Sequence, residues 1–344
     1  MKQLQNQNSM TDKKTTIGVI GCSTIAANSV IPAIKSSKNI ELTSIGSRNQ
    51  EKSKKFAEQF GSKKFGTYEE VLEDNDIDAV YISLPIGLQE EWIIKAAKSG
   101  KHILCEKSST TSFNSANNMI SECKKNQVRL MEGLMFRFHP QHQKVLEIIN
   151  DKKLGQIRSF HGEYGFQMPT LDNIRLQSKL GGGVLNDACC YPICATRMLF
   201  EKEPQSVFAK LVIDNKSQVD VRCQVMLYFD DGKVSTMNVG YGMSFRSIYE
   251  IWGTHGHLEL NRAYNVPVDL KPTILLNSEK EECITIDAAN HFEIMLDAFH
   301  EEIINQGTSK FNFELDLLNQ ARVLEAARKS HNEERLVRID EITA

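Results

Sequence analysis

One repeated unit constrains this chain more than anything else in it. Across the first 130 residues, short apolar runs rich in β-branched side chains alternate with stretches of helical periodicity. TTIGVI (15–20) leads into GCSTIAA and a helical stretch to about residue 37. ELTSIGS (41–47) precedes EKSKKFAEQF (51–60), and IDAVYISLP (77–85) precedes a helix ending at Gly100. KHILCEK (101–107) is followed by a helix over about 112–126 and then by VRLMEG (128–133). Strands separated by a helix cannot pair as hairpins; they pair in parallel through crossovers, with helices covering both faces. The pattern predicts a doubly wound α/β domain of Rossmann type over residues 15–132.

Near residue 133 the grammar changes. A helix begins near Pro140 and runs to about Asn150, and IRSFHGEYGF (157–166) alternates with period two. A glycine-rich stretch opens an apolar helix in GGGVLNDACCYPICATRMLF (181–200). Alternating runs follow at 206–214, 220–242 and 247–261, with Asp231-Gly232 as a hairpin turn between two of them. Two more helices are expected at 291–306 and about 314–331. Residues 133–344 therefore read as an α+β domain on a large, mixed, mainly antiparallel sheet with one open face. Residues 1–14 are polar and aperiodic and read as a loose extension.

With 41 basic and 44 acidic side chains, a net charge of −3 offers no footprint for nucleic acid or an anionic membrane. No run is apolar enough to span a bilayer and none resembles a secretory signal, so a cytoplasmic protein is expected. Eight cysteines occur without a CxxC pair and mostly in apolar runs. They read as buried, reduced thiols with no metal site.

The first strand-to-helix turn places Gly21, Ser23 and Ala26 in the three small-residue slots of a dinucleotide turn. Backbone around Cys22, Thr24 and Ile25 would then face a pyrophosphate at a helix start. The same small-residue turn in a flavodoxin-like sheet would bind nothing. The second strand ends in Ser47-Arg48 where an NAD site carries an acidic residue. A hydroxyl beside a guanidinium suits a 2′-phosphate, so NADP(H) is expected over NAD(H).

Further on, Leu84-Pro85 follows the next strand, Glu106-Lys107 ends another, and GGGxxxDxxCY occupies 181–191. With the opening GVIG, these four elements stand in the order found in the glucose–fructose oxidoreductase / inositol dehydrogenase / MocA-like family, which the chain resembles from about residue 15 to 330. MEGLMFRFHPQ (131–141), NIRLQSKLGGG (173–183) and YEIWGTHGHLELNRAY (249–264) look most like its nucleotide-sugar C-3 ketoreductase branch. There are two departures. Ser108 stands where the family usually has proline, removing a fixed φ from the bend. Tyr191 stands four residues after Asp187, where the family often has histidine; the tyrosine is similar to that of the ketoreductase and dihydrodiol dehydrogenase branches.

Reducing a ketone needs a hydride donor on one face and a proton for the oxygen. A phenol can supply the proton, and a nearby ammonium would lower its pKa. Lys107 ends a parallel strand, where open α/β sheets hold ligands. The resemblance then implies Tyr191 as general acid and Lys107 as the group that polarises the carbonyl and touches the nicotinamide ribose. Asp187 would orient Lys107 or a substrate hydroxyl, and Glu106 would help position the cofactor. Leu84 and Pro85 would line the cofactor site, with Arg137 near the nicotinamide phosphate or the substrate. The expected activity is NADPH-dependent reduction of a keto-sugar, most specifically at C-3 of a dTDP-linked keto-deoxysugar. Two alternatives remain: a free-sugar, polyol or trans-dihydrodiol dehydrogenase, and a dinucleotide-sensing regulator without chemistry. Apolar positions on the second domain's sheet suggest a homodimer or homotetramer.

Overall fold

A computed structural model describes residues 14–170, 172–305 and 311–343. The extension expected at the N-terminus falls almost wholly outside these, as does the last residue of the helix expected over 291–306.

The first sheet is built from β1 (Thr15–Ile20), β2 (Ile40–Gly46), β3 (Lys64–Gly66), β4 (Ala79–Ile82), β5 (His102–Glu106) and β6 (Leu130–Gly133). Its order is β3-β2-β1-β4-β5-β6, every pairing parallel. Order reverses at β1, so the carboxyl ends of β1 and β4 flank the crevice where such sheets take ligands. Between the strands run α1 (Ile31–Ser36), α2 (Gln50–Phe60), α3 (Tyr68–Glu73), α4 (Ile86–Lys98) and α5 (Phe113–Lys125). Strand β3 was not anticipated. It is three residues long with two exposed, so backbone pairing to β2, not an apolar pattern, holds it.

After α6 (Pro140–Asn150) come β7 (Ile157–Phe166), α7 (Cys190–Phe200), β8 (Ser206–Ile213), β9 (Asp220–Tyr228), β10 (Val234–Tyr241), β11 (Arg246–Gly253), β12 (His257–Leu260), β13 (Thr273–Asn277) and β14 (Glu281–Thr285). Helices α8 (His291–Ile304) and α9 (Phe313–Glu333) and the short β15 (Val337–Arg338) complete the fold. The nine strands pair in the order β14-β13-β12-β11-β7-β10-β9-β8-β15, antiparallel except for β7 with β10. The inner face of β7 and β11 carries Phe160, Tyr164, Tyr249 and Ile251, all buried; the outer face includes Trp252, 67% exposed. Seven cysteines are buried thiols, as expected; Cys283, on the outlying β14, is exposed.

Helix α9 crosses back to the first sheet. Glu314 pairs with Arg129 through two bonds of 2.9 and 2.6 Å, while Asp316 holds Arg137 (2.6 Å) and Arg197 (3.0 Å). These first-turn carboxylates thus favour the helix dipole and also tie the two sheets together.

Candidate active site

Two of the segments expected to carry function contain a π-turn, and each has a proline two or three residues beyond it. Ala26–Val30 precedes Pro32, and Leu185–Cys189 precedes Pro192. A proline ring cannot accept the carbonyl four residues back and has no N–H to give it, so a widened turn absorbs the mismatch. In the second segment this turn holds Asp187, and α7 continues from it with Tyr191.

Strand β5 delivers Glu106 and then Lys107, and the turn that holds Asp187 meets Lys107 there although 80 residues separate the two. Lys107 Nζ lies 3.0 Å from Asp187 Oδ1, donates to the Asp187 carbonyl, and sits 5.0 Å from the centre of the Tyr191 ring. Ser108, in the slot usually filled by proline, donates its hydroxyl to the Asn186 carbonyl at 2.8 Å. Two contributors went unanticipated. Arg175 Nε bonds Asp187 Oδ2 at 2.7 Å, and Tyr241 donates its hydroxyl to the same oxygen at 3.1 Å. Arg175 comes from a loop without periodicity and Tyr241 from the end of β10, so only the three-dimensional fold brings them here.

Charge balance follows from this clustering. Burial acts to raise the Asp187 pKa, but Lys107 and Arg175 together bring it down to about 2. Burial acts to lower the Lys107 pKa, and the Asp187 carboxylate raises it well above the usual ammonium value. For Tyr191 the net effect is opposite to the sequence expectation. The Lys107 ammonium does pull its pKa down, but burial outweighs that and pushes it well above 10. The ring packs against Phe136, Tyr164 and Tyr264, with its hydroxyl 3.8 Å from Met135 Sδ. Tyr191 is therefore a neutral phenol across the physiological range.

The turn after β1 suits a dinucleotide. Gly21 adopts φ +105°, and a Cβ there would lie 2.6 Å from the Ser83 carbonyl at the end of β4, so the position demands glycine. The Ser23 hydroxyl bonds that of Ser83 and takes the Ala26 N–H at 3.1 Å, while the Cys22 thiol points to the Gly46 carbonyl. Thr24 and Ile25 open the helix, with Thr24 exposed. After β2, Ser47 is buried and its hydroxyl accepts the Asn49 N–H at 3.2 Å; Arg48 is exposed beside Tyr68. Leu84 and Pro85 lead into α4, whose Gln89 donates to the Leu84 carbonyl at 3.2 Å. Glu106 accepts the Tyr81 hydroxyl at 2.6 Å, directly beneath Lys107 in sequence. Arg137 pairs its guanidinium with Asp316 at 2.6 Å and lies 4.4 Å over the Phe311 ring.

Residues 15–134 match the model of an oxidoreductase family with an NAD-binding Rossmann fold, and residues 142–259 match the GFO/IDH/MocA C-terminal domain. The chain belongs to the GFO/IDH/MocA oxidoreductase family. It is 32% identical over 313 residues to a dTDP-3,4-didehydro-2,6-dideoxy-alpha-D-glucose 3-reductase of Actinomadura kijaniata, covering 91% of this chain and 94% of that one. A D-xylose 1-dehydrogenase (NADP(+)) of Haloferax volcanii is 35% identical, covering 72% of this chain and 76% of that protein. A crystal structure of a 3-ketoreductase from A. kijaniata with NADP and TDP-benzene superposes with a TM-score of 0.88 at 31% identity, covering 92% of this chain and 98% of the other. That reductase was also solved with one tyrosine changed to phenylalanine and with one lysine changed to alanine or glutamate. The chain is an oxidoreductase of the sugar reductase and dehydrogenase kind, with an NAD(P)-binding Rossmann domain.

Proposed function

We propose that this enzyme reduces the C-3 ketone of a dTDP-linked keto-deoxysugar, with NADPH preferred over NADH. The observation that carries the reading is the convergence of Lys107, Asp187 and Tyr191 at the carboxyl end of β5, 5.0 Å separating the ammonium from the phenol ring. The relatives whose names give a nucleotide-sugar 3-reductase support the substrate class, and the lysine and tyrosine altered in one of them are the same two side-chain types.

When bound, NADPH supplies the hydride. The residues to hold it are Gly21, Cys22, Ser23, Thr24 and Ile25 at the first turn, Ser47 and Arg48 after β2, Leu84 and Pro85 after β4, and Glu106 and Lys107 after β5. Arg48 answers the 2′-phosphate charge. Lys107, kept cationic by Asp187, draws electron density from the ketone oxygen and stabilises the developing alkoxide. Tyr191 gives that oxygen its proton. A phenol held protonated by burial is well matched to this reductive step, since an alkoxide is the far stronger base. Free-sugar or diol dehydrogenation by the same residues is the second reading, favoured by the similarity to a D-xylose 1-dehydrogenase. Asp187 orients Lys107, held in turn by Arg175 and Tyr241.

Self-association as a homodimer or homotetramer through the open face of the large sheet accompanies this reading, supported by exposed Trp252 and Phe208. Among the described residues no helix is long and apolar enough to cross a membrane, in keeping with a cytoplasmic enzyme. The test follows NADPH and NADH oxidation against a panel of dTDP-keto-sugars, alongside NADP reduction with free sugars and diols. Turnover of the nucleotide-linked ketones with NADPH is expected; activity confined to free sugars would overturn the substrate class.

A further inference from the structure

The turn that carries Asp187 is held from a side the catalytic argument does not use. Asp220 opens β9, and its Oδ2 accepts the Leu185 N–H at 2.5 Å, with the Val184 N–H also directed at the carboxylate. Gly183, immediately before, has φ +125°, and a Cβ there would lie 2.2 Å from Asp220 Oδ1. The third glycine of the GGG run is thus explained by the approach of this carboxylate. The helix from Leu185 through Phe200 begins here, so the carboxylate takes N–H groups that have no partner within the helix and meets the positive end of its dipole.

The other side of the same turn is fixed by the site itself, through Ser108 on the Asn186 carbonyl and Lys107 on the Asp187 carbonyl. Arg328 of α9 bonds the Asn186 side chain and is the cation that faces Asp220. From β9 and β10, Cys223 and Tyr241 feel the same charge.

The geometry points to Asp220 as a positioning residue that sets the register of the Asp187–Tyr191 turn against Lys107 by holding the backbone N–H groups of Val184 and Leu185. It touches neither the ammonium nor the phenol, and it acts through the turn. This inference rests on the reading that Lys107, Asp187 and Tyr191 form the reacting centre. Burial of Asp220 raises its pKa to about 6 despite the Leu185 N–H, so the fold keeps this carboxylate at a cost in stability, as expected of a group retained for geometry.

The test compares Asp220→Asn, which keeps one acceptor oxygen, with Asp220→Ala, which keeps none. Misplacement of reacting groups by a fraction of an ångström to an ångström costs ~10- to 100-fold in rate. Turnover with a dTDP-keto-sugar should fall in the order Asp, Asn, Ala, with Asp220→Ala down at least ~10-fold. The KM for NADPH should stay within about 2-fold, because the cofactor turn lies on the other sheet. Hydrogen exchange gives a readout that needs no substrate: Asp220→Ala should lose protection at amides 184–191 while the first sheet stays protected. Wild-type turnover in the alanine variant, parallel loss of turnover and NADPH affinity, or unchanged protection at 184–191 would each overturn the assignment. Absence of ketone reduction by the wild-type enzyme, with the exchange result as expected, would instead count against the proposed function alone.

Discussion

Replacing Asp187 by asparagine removes one charge from a place where two cations share it. Lys107 and Arg175 both pair with that carboxylate, at 3.0 and 2.7 Å, and the side chain is only 14% exposed. Its pKa is brought from the usual 3.8 to about 2. At about 1.4 kcal/mol per pH unit, that depression is worth roughly 2.5 kcal/mol of stability at neutral pH. The sign follows from the direction: the contribution is fully present above 3.8 and is lost as pH falls toward 2. Asp187→Asn also leaves the buried Lys107 ammonium facing the half-exposed Arg175 without their shared counter-charge, so the full loss should lie at about 3–5 kcal/mol. Urea unfolding at pH 7 measures it. The same variant withdraws the strongest influence raising the Lys107 pKa, so burial will bring that ammonium down and the alkaline limb of kcat/KM will move to lower pH. A stability change below about 0.5 kcal/mol, as for an exposed ion pair, would refute the reasoning that this carboxylate is the charge centre of the site.

Burial lowers His139, His142 and His291 from 6.5 to about 4, 3 and 4. The unfolded chain binds up to three protons the fold refuses, so stability should fall as pH drops from 6.5 toward 4, by up to about 4 kcal/mol per pH unit; a melting temperature flat across that window contradicts this. The raised Asp220 carboxyl works in the opposite sense, so Asp220→Asn should melt above wild type beyond pH 6 and lose its advantage below about 4. Calorimetry at pH 4 and 7.5 checks the crossover. Arg48→Ala should raise the KM for NADPH by ~10-fold or more and leave NADH nearly unaffected, because a charge-assisted bond to phosphate is worth about 1.5–3 kcal/mol. Lys107→Met should lose at least ~100-fold in turnover through loss of oxyanion stabilisation.

What could be read from the chain and what could not divides along physical lines. The alternation of buried strands and amphipathic helices specifies the first sheet, because each element carries its own periodicity. Alternation likewise marks β7 to β11, whose inner faces are apolar. Strands β3, β14 and β15 escaped because they are edge segments with exposed, charged or very short sequences, held by backbone pairing; β13, a five-residue run beside β14, escaped because it is too short to show its alternation. At the site, Lys107, Asp187 and Tyr191 stand out through motif and family order. Arg175, Tyr241 and Asp220 do not, because their positions depend on how a loop and two strand ends meet the π-turn. The phenol pKa shows the same limit. A neighbouring ammonium could be inferred from sequence, but the burial that outweighs it could not.

The central claim is that Tyr191 delivers the proton to the reduced ketone beside Lys107. Single-turnover oxidation of bound NADPH by a dTDP-keto-sugar, compared between wild type and Tyr191→Phe, tests it most directly. NADPH affinity should stay within about 2-fold while the rate falls by ~100- to 10,000-fold, the range for a lost general acid. A phenylalanine variant that oxidises NADPH at the wild-type rate would contradict it.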